Sequence, residues 1–274
     1  MSRRLSAYLA GAFSCAVLCF ALLVPATGRT QSENKPAVAP AGDSHPVLVE
    51  LFTSEGCSSC PPADTILQKL DEFQPIAGAQ LIVLSEHITY FDHDGWKDPN
   101  SSPALTDRQA SYENAVGEKQ SFTPQFIVDG NQELKIERLS EMEGVLKKAA
   151  AEPKIPVRIG EVTVDPGNPN VVHAHVETDV NSEKHNSDVY VAVALNHVES
   201  QVLRGENGGK HLEHVAVVQN LSKVGKLSKG KSFAEDVQLK VPAGIDLKNI
   251  RLVAFIQESG PGKVLGAAMR TPAL

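Results

Sequence analysis

The sequence predicts an α/β domain followed by an all-β sandwich domain. Over residues 46–153, short apolar runs alternate with segments whose apolar side chains recur at helical spacing, a pattern typical of α/β folds. From residue 154 to 274 this periodicity disappears, and about seven short segments of alternating apolar and polar residues are separated by turn residues. Two closely spaced cysteines near the start of the first domain form the clearest chemical motif.

Residues 1–28 predict a signal peptide. Two arginines at positions 3 and 4 precede an uncharged apolar run, residues 5–24, and the small residues and proline of 25–28 suit a cleavage region. An uncleaved membrane anchor is the alternative, because the apolar run approaches the length that spans a bilayer. In either case the body of the protein is expected in the periplasm or outside the cell, where a cysteine pair can exist as a disulfide.

The remaining chain is acidic and long enough for two domains. Without the signal segment about 245 residues remain, with 24 basic and 33 acidic side chains and a net charge of about −9. No cluster of basic residues stands out, so neither nucleic acid nor an anionic membrane surface is an expected partner. Residues 29–45 lack periodicity and predict a flexible tether to domains at 46–153 and 154–274.

The cysteine motif lies between a predicted strand and a predicted helix. Residues 47–52 are nearly all apolar, as in a strand covered on both faces. After the motif, Pro61 and Pro62 suit a first helical turn, and apolar residues follow at helical spacing. Cys57 is therefore expected at a strand-to-helix turn near the positive end of a helix, which favours the reactive thiolate form.

Only two cysteines, Cys57 and Cys60, remain after the signal segment. This number excludes a four-cysteine zinc site, and the spacing in a strand–turn–helix context indicates a thioredoxin-type redox site. Cys57, expected to be the more exposed sulfur, would form a mixed disulfide with a protein or small-molecule thiol or disulfide substrate, which Cys60 would resolve. A half zinc site completed by histidines and a static disulfide remain alternatives.

The rest of the first domain predicts the element order βαβαββα of a thioredoxin fold. The cysteine motif accounts for its first strand and helix, and Asp129-Gly130 is a hairpin signal. The further elements are a strand at 80–85, a helix at 104–116, strands at 122–128 and up to about 136, and a helix from about 140.

Two candidate catalytic features accompany the cysteines. In the thioredoxin fold a cis-proline faces the cysteine pair, so the Thr123–Pro124 bond is expected to be cis and to form a wall of the substrate groove. Leu51 occupies the position of the buried acid of thioredoxins, but a bulge could turn the neighbouring Glu50 toward the cysteines as a general base. Glu55 is expected to be solvated.

Five further residues are expected to line the substrate site. Ser58 and Ser59 lie between the cysteines, and the segment with His87, Tyr90 and Trp96 follows a strand of the same sheet. Ligands of open α/β sheets gather at the carboxyl ends of strands. The alternative is a long loop whose aromatic residues pack for stability.

Several segments together resemble a bacterial family of exported thioredoxin-like proteins of unknown function. They are residues 50–64 (ELFTSEGCSSCPPAD), 87–99, 123–125, 204–209 and 254–267. The resemblance implies a thioredoxin-like domain followed by an all-β region, with no established substrate.

Rival interpretations assign the cysteines another purpose. In a non-enzymatic binding module or copper carrier, His87 would join Cys57 and Cys60 as ligands; alternatively, the disulfide is static and the sandwich is an interaction surface. The favoured interpretation includes neither a metal nor a cofactor. The glycine-rich segment 204–210 lacks the context of a phosphate-binding loop. The histidines of the second domain are expected to face solvent: His173, His175, His197, His211 and His214.

Overall fold

The computed structural model describes residues 44–117, 120–135, 139–182, 186–260 and 262–272. The helices are α1 (Pro61–Phe73), α2 (Pro103–Val116), α3 (Leu139–Ala151) and a short 3-10 helix, Leu247–Asn249. The strands are β1 (His45–Thr53), β2 (Ala79–His87), β3 (Gln125–Val128), β4 (Gln132–Leu134), β5 (Val157–Asp165), β6 (Asn168–Thr178), β7 (Ser187–Gln201), β8 (His211–Leu227), β9 (Phe233–Lys240), β10 (Ile250–Glu258) and β11 (Val264–Arg270).

Eight of these strands form one mixed sheet in the order β11-β10-β7-β8-β2-β1-β3-β4. Strand β2 lies parallel to β1 on one side and parallel to β8 on the other, where Ser85 pairs with Val217. The other neighbouring pairs are antiparallel. Strands β5, β6 and β9 form a second, three-stranded sheet, whose apolar face packs on β7 and β10 through residues such as Val172, Val176, Val191 and Leu252.

The predicted fold class, a thioredoxin-like α/β domain followed by a separate all-β sandwich, is therefore wrong. The chain is mostly β, and its large sheet continues from the first strands into β7, β8, β10 and β11. The physical reason is that the edge of β2 needs a hydrogen-bonding partner. An unpaired edge leaves backbone N–H and C=O groups without partners, and here β8 covers that edge.

Most of the individual elements follow the sequence prediction. Seven strands follow residue 154 in the described part of the chain, although β7 and β8, with 15 and 17 residues, are longer than the short segments that the sequence predicts. The hairpin between β3 and β4 turns at Asp129 and Gly130, both with positive φ (45° and 71°), as the mirror-image hairpin turn requires. Asp129 Oδ1 also accepts a hydrogen bond from Leu48 N at 3.0 Å, which ties the turn to β1.

Both faces of β1 are covered, which explains its continuous apolar sequence. Val47, Val49 and Leu51 pack in one core cluster with side chains of α1 and α3. The intervening residues, including Leu48 and Phe52, face the side that α2 covers. Because side chains alternate along a strand, Glu50 also faces α2.

The predicted signal peptide, residues 1–28, and nearly all of the predicted tether, 29–45, lie outside the described residues. Among the helices that the structure describes, none combines the length and the apolar character needed to cross a membrane.

Candidate functional site

The cysteine motif occupies the turn from β1 to α1, as predicted. Cys57 and Cys60 form a disulfide with Cα atoms 5.4 Å apart. Cys60 is the N-cap residue of α1, with proline in the first turn, and its carbonyl accepts the Ala63 N–H at 2.8 Å. The positive end of the helix dipole is therefore next to Cys60, where it stabilises a thiolate.

Both cysteines are buried, although Cys57 was expected to be the more exposed sulfur. Only 1% of Cys57 and 0% of Cys60 are accessible to solvent, whereas Ser58 and Ser59 between them are exposed. The Cys57 sulfur nevertheless lies 3.3 Å from the hydroxyl of Ser59. Of the two sulfurs, Cys57 is thus the one with a contact to an exposed side chain of the motif.

A loop from the distant part of the chain lies against the motif. This cover loop, residues 202–210, is closed at its base by hydrogen bonds from Gly209 N to Val202 O and from Val202 N to Lys210 O. Asn207, fully buried, donates from Nδ2 to the carbonyls of Glu55 at 2.8 Å and Cys57 at 2.9 Å. These contacts join sequence segments 150 residues apart.

A carboxylate of the cover loop also contacts the cysteine motif. The Glu206 Oε2 atom accepts a hydrogen bond from Ser58 N at 3.0 Å. Hydrogen bonds from Ser58 lower the pKa of Glu206. The sequence prediction gave this loop no part in the site.

The segment after β2 supports the motif from another side. Trp96 donates its indole N–H to Glu55 Oε2 at 2.7 Å, and the Glu55 N–H donates to Asp98 Oδ2 at 2.8 Å. This segment also touches the cover loop, since a Cβ on Gly205, whose φ is +77°, would lie 3.0 Å from Asp94 O. The predicted lining residue Trp96 is therefore placed beside the motif.

The expectation that Glu55 is solvated is wrong. Its side chain is fully buried and accepts hydrogen bonds from Trp96, from Ser200 Oγ at 3.0 Å and from Asn100 Nδ2 at 3.4 Å. The three donors come from the segment after β2 and from β7. Their convergence explains how a carboxylate directly before the cysteine pair is held away from solvent.

His87, predicted to line the site, is buried behind it. Its Nδ1 lies 2.7 Å from Asp98 Oδ2. Burial alone lowers the pKa of His87, but the Asp98 carboxylate, helped by Asp64 and Glu55, raises it above the ordinary value. Burial likewise raises the pKa of Asp98, but His87 and backbone N–H donors lower it below the ordinary value.

His214 on β8 completes a buried polar cluster, and the prediction that it faces solvent is wrong. It is 1% exposed, and its ring stands nearly perpendicular to that of His87, with centroids 4.8 Å apart. Its Nδ1 is 3.7 Å from Asp64 Oδ1, and its Nε2 is 4.0 Å from Glu55 Oε1. We call Glu55, Asp64, His87, Asp98 and His214 the histidine–carboxylate cluster.

Glu50, the predicted general base, belongs to a different buried cluster on the α2 side of the sheet. Its carboxylate accepts hydrogen bonds from Arg108 Nε at 2.7 Å and from the Tyr112 hydroxyl at 2.9 Å. Glu86 lies beside it, 3.5 Å from Arg108 Nε. Burial, and then the Glu50 carboxylate, raises the pKa of Glu86 well above its ordinary value. The described contacts of Glu50 are with these groups and not with the cysteines.

The Thr123–Pro124 bond is cis, as predicted. The Thr123 carbonyl accepts a hydrogen bond from Ser59 Oγ at 3.5 Å, so this segment does lie beside the cysteine motif. Tyr90, another predicted lining residue, is partly exposed and donates its hydroxyl to Gln109 Oε1 at 3.3 Å.

Comparison with known families now identifies the chain. The family described as "Protein of unknown function (DUF1223)" matches residues 48–257, which include both the cysteine motif and the cover loop. The chain belongs to the DUF1223 family. The predicted membership of a family of unknown function is thus confirmed at that level.

A similar fold is found in a solved structure. A crystal structure of a protein from Agrobacterium tumefaciens has a TM-score of 0.64 at 24% identity, over 84% of this chain and 95% of that chain. It shows that the two share a fold. No curated protein matches the chain.

Two other structures are too dissimilar to support an argument. An alkylpurine DNA glycosylase of Pseudomonas fluorescens bound to DNA has a TM-score of 0.23 at 14% identity, over 53% of this chain and 35% of that chain. The protein OgpA of Akkermansia muciniphila has a TM-score of 0.20 at 12% identity, over 43% of this chain and 28% of that chain.

Metal ligation was the rival interpretation for the cysteines of this DUF1223 protein. Within the described ranges, no group of three or more histidine, cysteine, aspartate or glutamate side chains is arranged to hold a metal ion. Cys57 and Cys60 are bonded to each other, and the Nδ1 atom of His87 is engaged with Asp98.

Proposed function

We propose that this DUF1223 protein is an exported thiol–disulfide oxidoreductase that reacts through its Cys57–Cys60 disulfide. The observation that carries the proposal is the position of the disulfide at the N-terminus of α1. A sulfur that leaves as a thiolate from Cys60 gains stabilisation from the helix dipole. The contact between the Cys57 sulfur and exposed Ser59 makes Cys57 the sulfur that a substrate meets.

In the proposed reaction a substrate thiolate attacks the Cys57 sulfur. A bond forms between these two sulfurs, the bond to Cys60 breaks, and its electron pair remains on the Cys60 sulfur. A second substrate thiolate then attacks the substrate sulfur of the mixed disulfide and releases Cys57. The substrate thiols are oxidised to a disulfide, and the protein is reduced to a dithiol; the reverse sequence reduces a substrate disulfide.

The burial of both sulfurs requires a local opening before exchange. The cover loop contacts the motif through Asn207 and Glu206, which bind the backbone of Cys57 and Ser58. Displacing this loop breaks a few hydrogen bonds and leaves the main sheet intact. Such an opening costs much less than global unfolding.

Export of the protein is proposed on separate grounds. The apolar N-terminal segment with two preceding arginines supports a signal peptide. An oxidising compartment would also maintain the disulfide, which the thiol-rich cytosol would reduce.

The test is disulfide exchange under native conditions. Purified full-length protein is mixed with dithiothreitol or a thiol peptide, quenched by alkylation, and the redox state of each cysteine is read by peptide mass spectrometry. We expect reduction without denaturant and substrate turnover. With a disulfide-bonded peptide as substrate, the Cys57 thiolate of Cys60→Ser should attack that disulfide, release one peptide thiol and accumulate as a mixed disulfide, whereas Cys57→Ser should be inactive, because Cys57 makes the first bond.

A static disulfide is the second candidate, and the burial of both sulfurs favours it. It predicts that thiols reduce the protein only under conditions that also unfold it. Exchange that requires denaturant, or equal trapping by the two serine variants, would reject the oxidoreductase assignment.

A further inference from the structure

We propose that the Asp64–His214 pair supplies the proton that neutralises Cys60 when the disulfide opens, and that a cavity beside α1 connects this pair to solvent. This inference rests on the proposed function and adds to it the groups that donate and accept the proton.

A proton source is needed because Cys60 is fully buried. When the disulfide breaks, the electron pair remains on the Cys60 sulfur, and an anion without solvent or a partner is costly in the interior. The helix N-terminus relieves part of this cost. The fully buried carboxylate of Glu55, close before the cysteines in the chain, opposes a negative charge there.

Asp64 is positioned one helical turn from Cys60. Residues four apart lie on the same face of a helix, and the Asp64 N–H donates to the Cys60 carbonyl at 3.1 Å. The Asp64 carboxylate accepts a hydrogen bond from Thr53 Oγ1 at 3.0 Å, which orients it beneath the first turn of α1. The same oxygen, Asp64 Oδ1, lies 3.7 Å from the Nδ1 atom of His214.

His214 is a buried side chain with two unengaged ring nitrogens. Within the described part of the chain, neither of its ring nitrogens has a hydrogen-bond partner, although the residue is 99% buried. Its two distances to carboxylate oxygens, 3.7 and 4.0 Å, are in the range of ion pairs and too long for hydrogen bonds. Both ring nitrogens therefore face carboxylates without being engaged by either of them.

The charges around His214 can accommodate a proton on its ring. Asp64 faces it from α1, Glu55 from the turn after β1, and His87 from β2, with Asp98 behind His87. Three carboxylates thus surround two imidazoles, so the cluster does not become positive even with both rings protonated.

A cavity of about 220 Å³ reaches the pair from the surface between α1 and β8. Asp64 and His214 line it together with Pro61, Thr65, Gln68, His211, Leu212 and Glu213. It is large enough for several water molecules and is polar enough to hold them. Within the same strand, His211 and Glu213 are the titratable groups at this cavity that are exposed.

In the proposed step, the proton moves together with the electron pair of the exchange reaction. As the substrate thiolate bonds to Cys57 and the electron pair moves to Cys60, a proton passes from the Asp64–His214 pair to the Cys60 sulfur. The pair regains a proton from solvent through the cavity that both side chains line. In the reverse direction the pair accepts the Cys60 proton, and the resulting thiolate resolves the mixed disulfide.

The test is the titration of Cys60 in a Cys57→Ser background. Alkylation of Cys60 is followed against pH by peptide mass spectrometry and scaled to its plateau at high pH. Adding His214→Asn should shift the profile to higher pH, with about a tenfold lower scaled rate at neutral pH, because a nearby positive charge is lost. Adding Asp64→Asn should shift the profile to lower pH.

The matched control is His211→Asn, which changes an exposed histidine of the same strand and cavity. It should leave the profile unchanged, and equal profiles for His214→Asn and His211→Asn would overturn the inference. If the His214 variants do not fold, the ring signals of His214 are titrated by NMR in the intact chain. Their titration should differ between the oxidised and the chemically reduced protein, and identical titrations would also overturn it.

These measurements separate the inference from the proposed function. Wild-type exchange with thiols tests whether the protein is an oxidoreductase. The Cys60 titration tests the Asp64–His214 pair even in a chain that does not turn over substrate.

Discussion

Replacing Asn207 with alanine should release the cover loop and accelerate reduction of the disulfide. The side chain is fully buried, and its Nδ2 donates hydrogen bonds to the carbonyls of Glu55 and Cys57 at 2.8 and 2.9 Å. At about 1 kcal/mol for each bond, the closed state loses about 2 kcal/mol. The population of the open state then rises about 30-fold, since 1.4 kcal/mol corresponds to a factor of ten.

Reduction by excess dithiothreitol under native conditions measures this opening. If opening precedes exchange, the pseudo-first-order rate should rise by up to about the same 30-fold. The rate should depend little on low concentrations of urea, because the opening exposes little surface. The denaturant midpoint is measured in parallel to separate local from global effects.

The control for this prediction is Arg204→Ala, which truncates an exposed side chain of the same loop. It should leave the reduction rate at the parent value. A parent-like rate in Asn207→Ala would refute the reasoning, since it would mean that thiols reach the sulfurs without displacement of the cover loop. A reduction rate that rises steeply with urea would also refute the reasoning, because it would mean that global unfolding exposes the disulfide.

Two further variants address other parts of the structure. Gly205→Ala should also accelerate reduction and destabilise the protein by about 1–2 kcal/mol, because φ is +77° and the new Cβ would lie 3.0 Å from Asp94 O; the same dithiothreitol assay checks it, and a parent-like rate would contradict it. Burial and the Glu50 carboxylate raise the pKa of Glu86 in the folded state. The folded protein therefore keeps the Glu86 proton above the unfolded pKa of about 4.3. The stability that this proton contributes is lost as pH rises through the folded pKa. Glu86→Gln should reduce that loss, by up to about 1.4 kcal/mol per pH unit, and urea unfolding between pH 5 and 7 should show a flatter profile than the wild type; an identical slope would contradict the assignment.

The features that could be predicted are those encoded within short sequence segments. The cysteine turn needs only an apolar strand, two prolines and a helical repeat, all between residues 47 and 73. The hairpin at Asp129 and Gly130 depends on residues that accept positive φ. Alternation of apolar and polar side chains predicts the strands after residue 154.

The burial of His214, which the sequence analysis placed in solvent, also has a signal in the sequence. In β8, Leu212 and Ala216 flank His214 at spacings of two residues, and all three are buried on the same face. Alternation therefore predicts that His214 shares the face of its apolar neighbours. Asn207, in contrast, gives no such signal, because its partners Glu55 and Cys57 lie in a distant segment.

The sequence by itself determined the local elements, the strand–turn–helix placement of Cys57 and Cys60, and the family. The tertiary structure alone decided that β8 pairs with the edge of β2, which places strands from both predicted domains in one sheet. It also decided that the cysteine pair is buried. The physical reason is that hydrogen-bonding groups at a strand edge are alike in every strand. Which distant strand pairs with an edge depends on the packing of the whole chain, and that pairing brings His214 to Asp64.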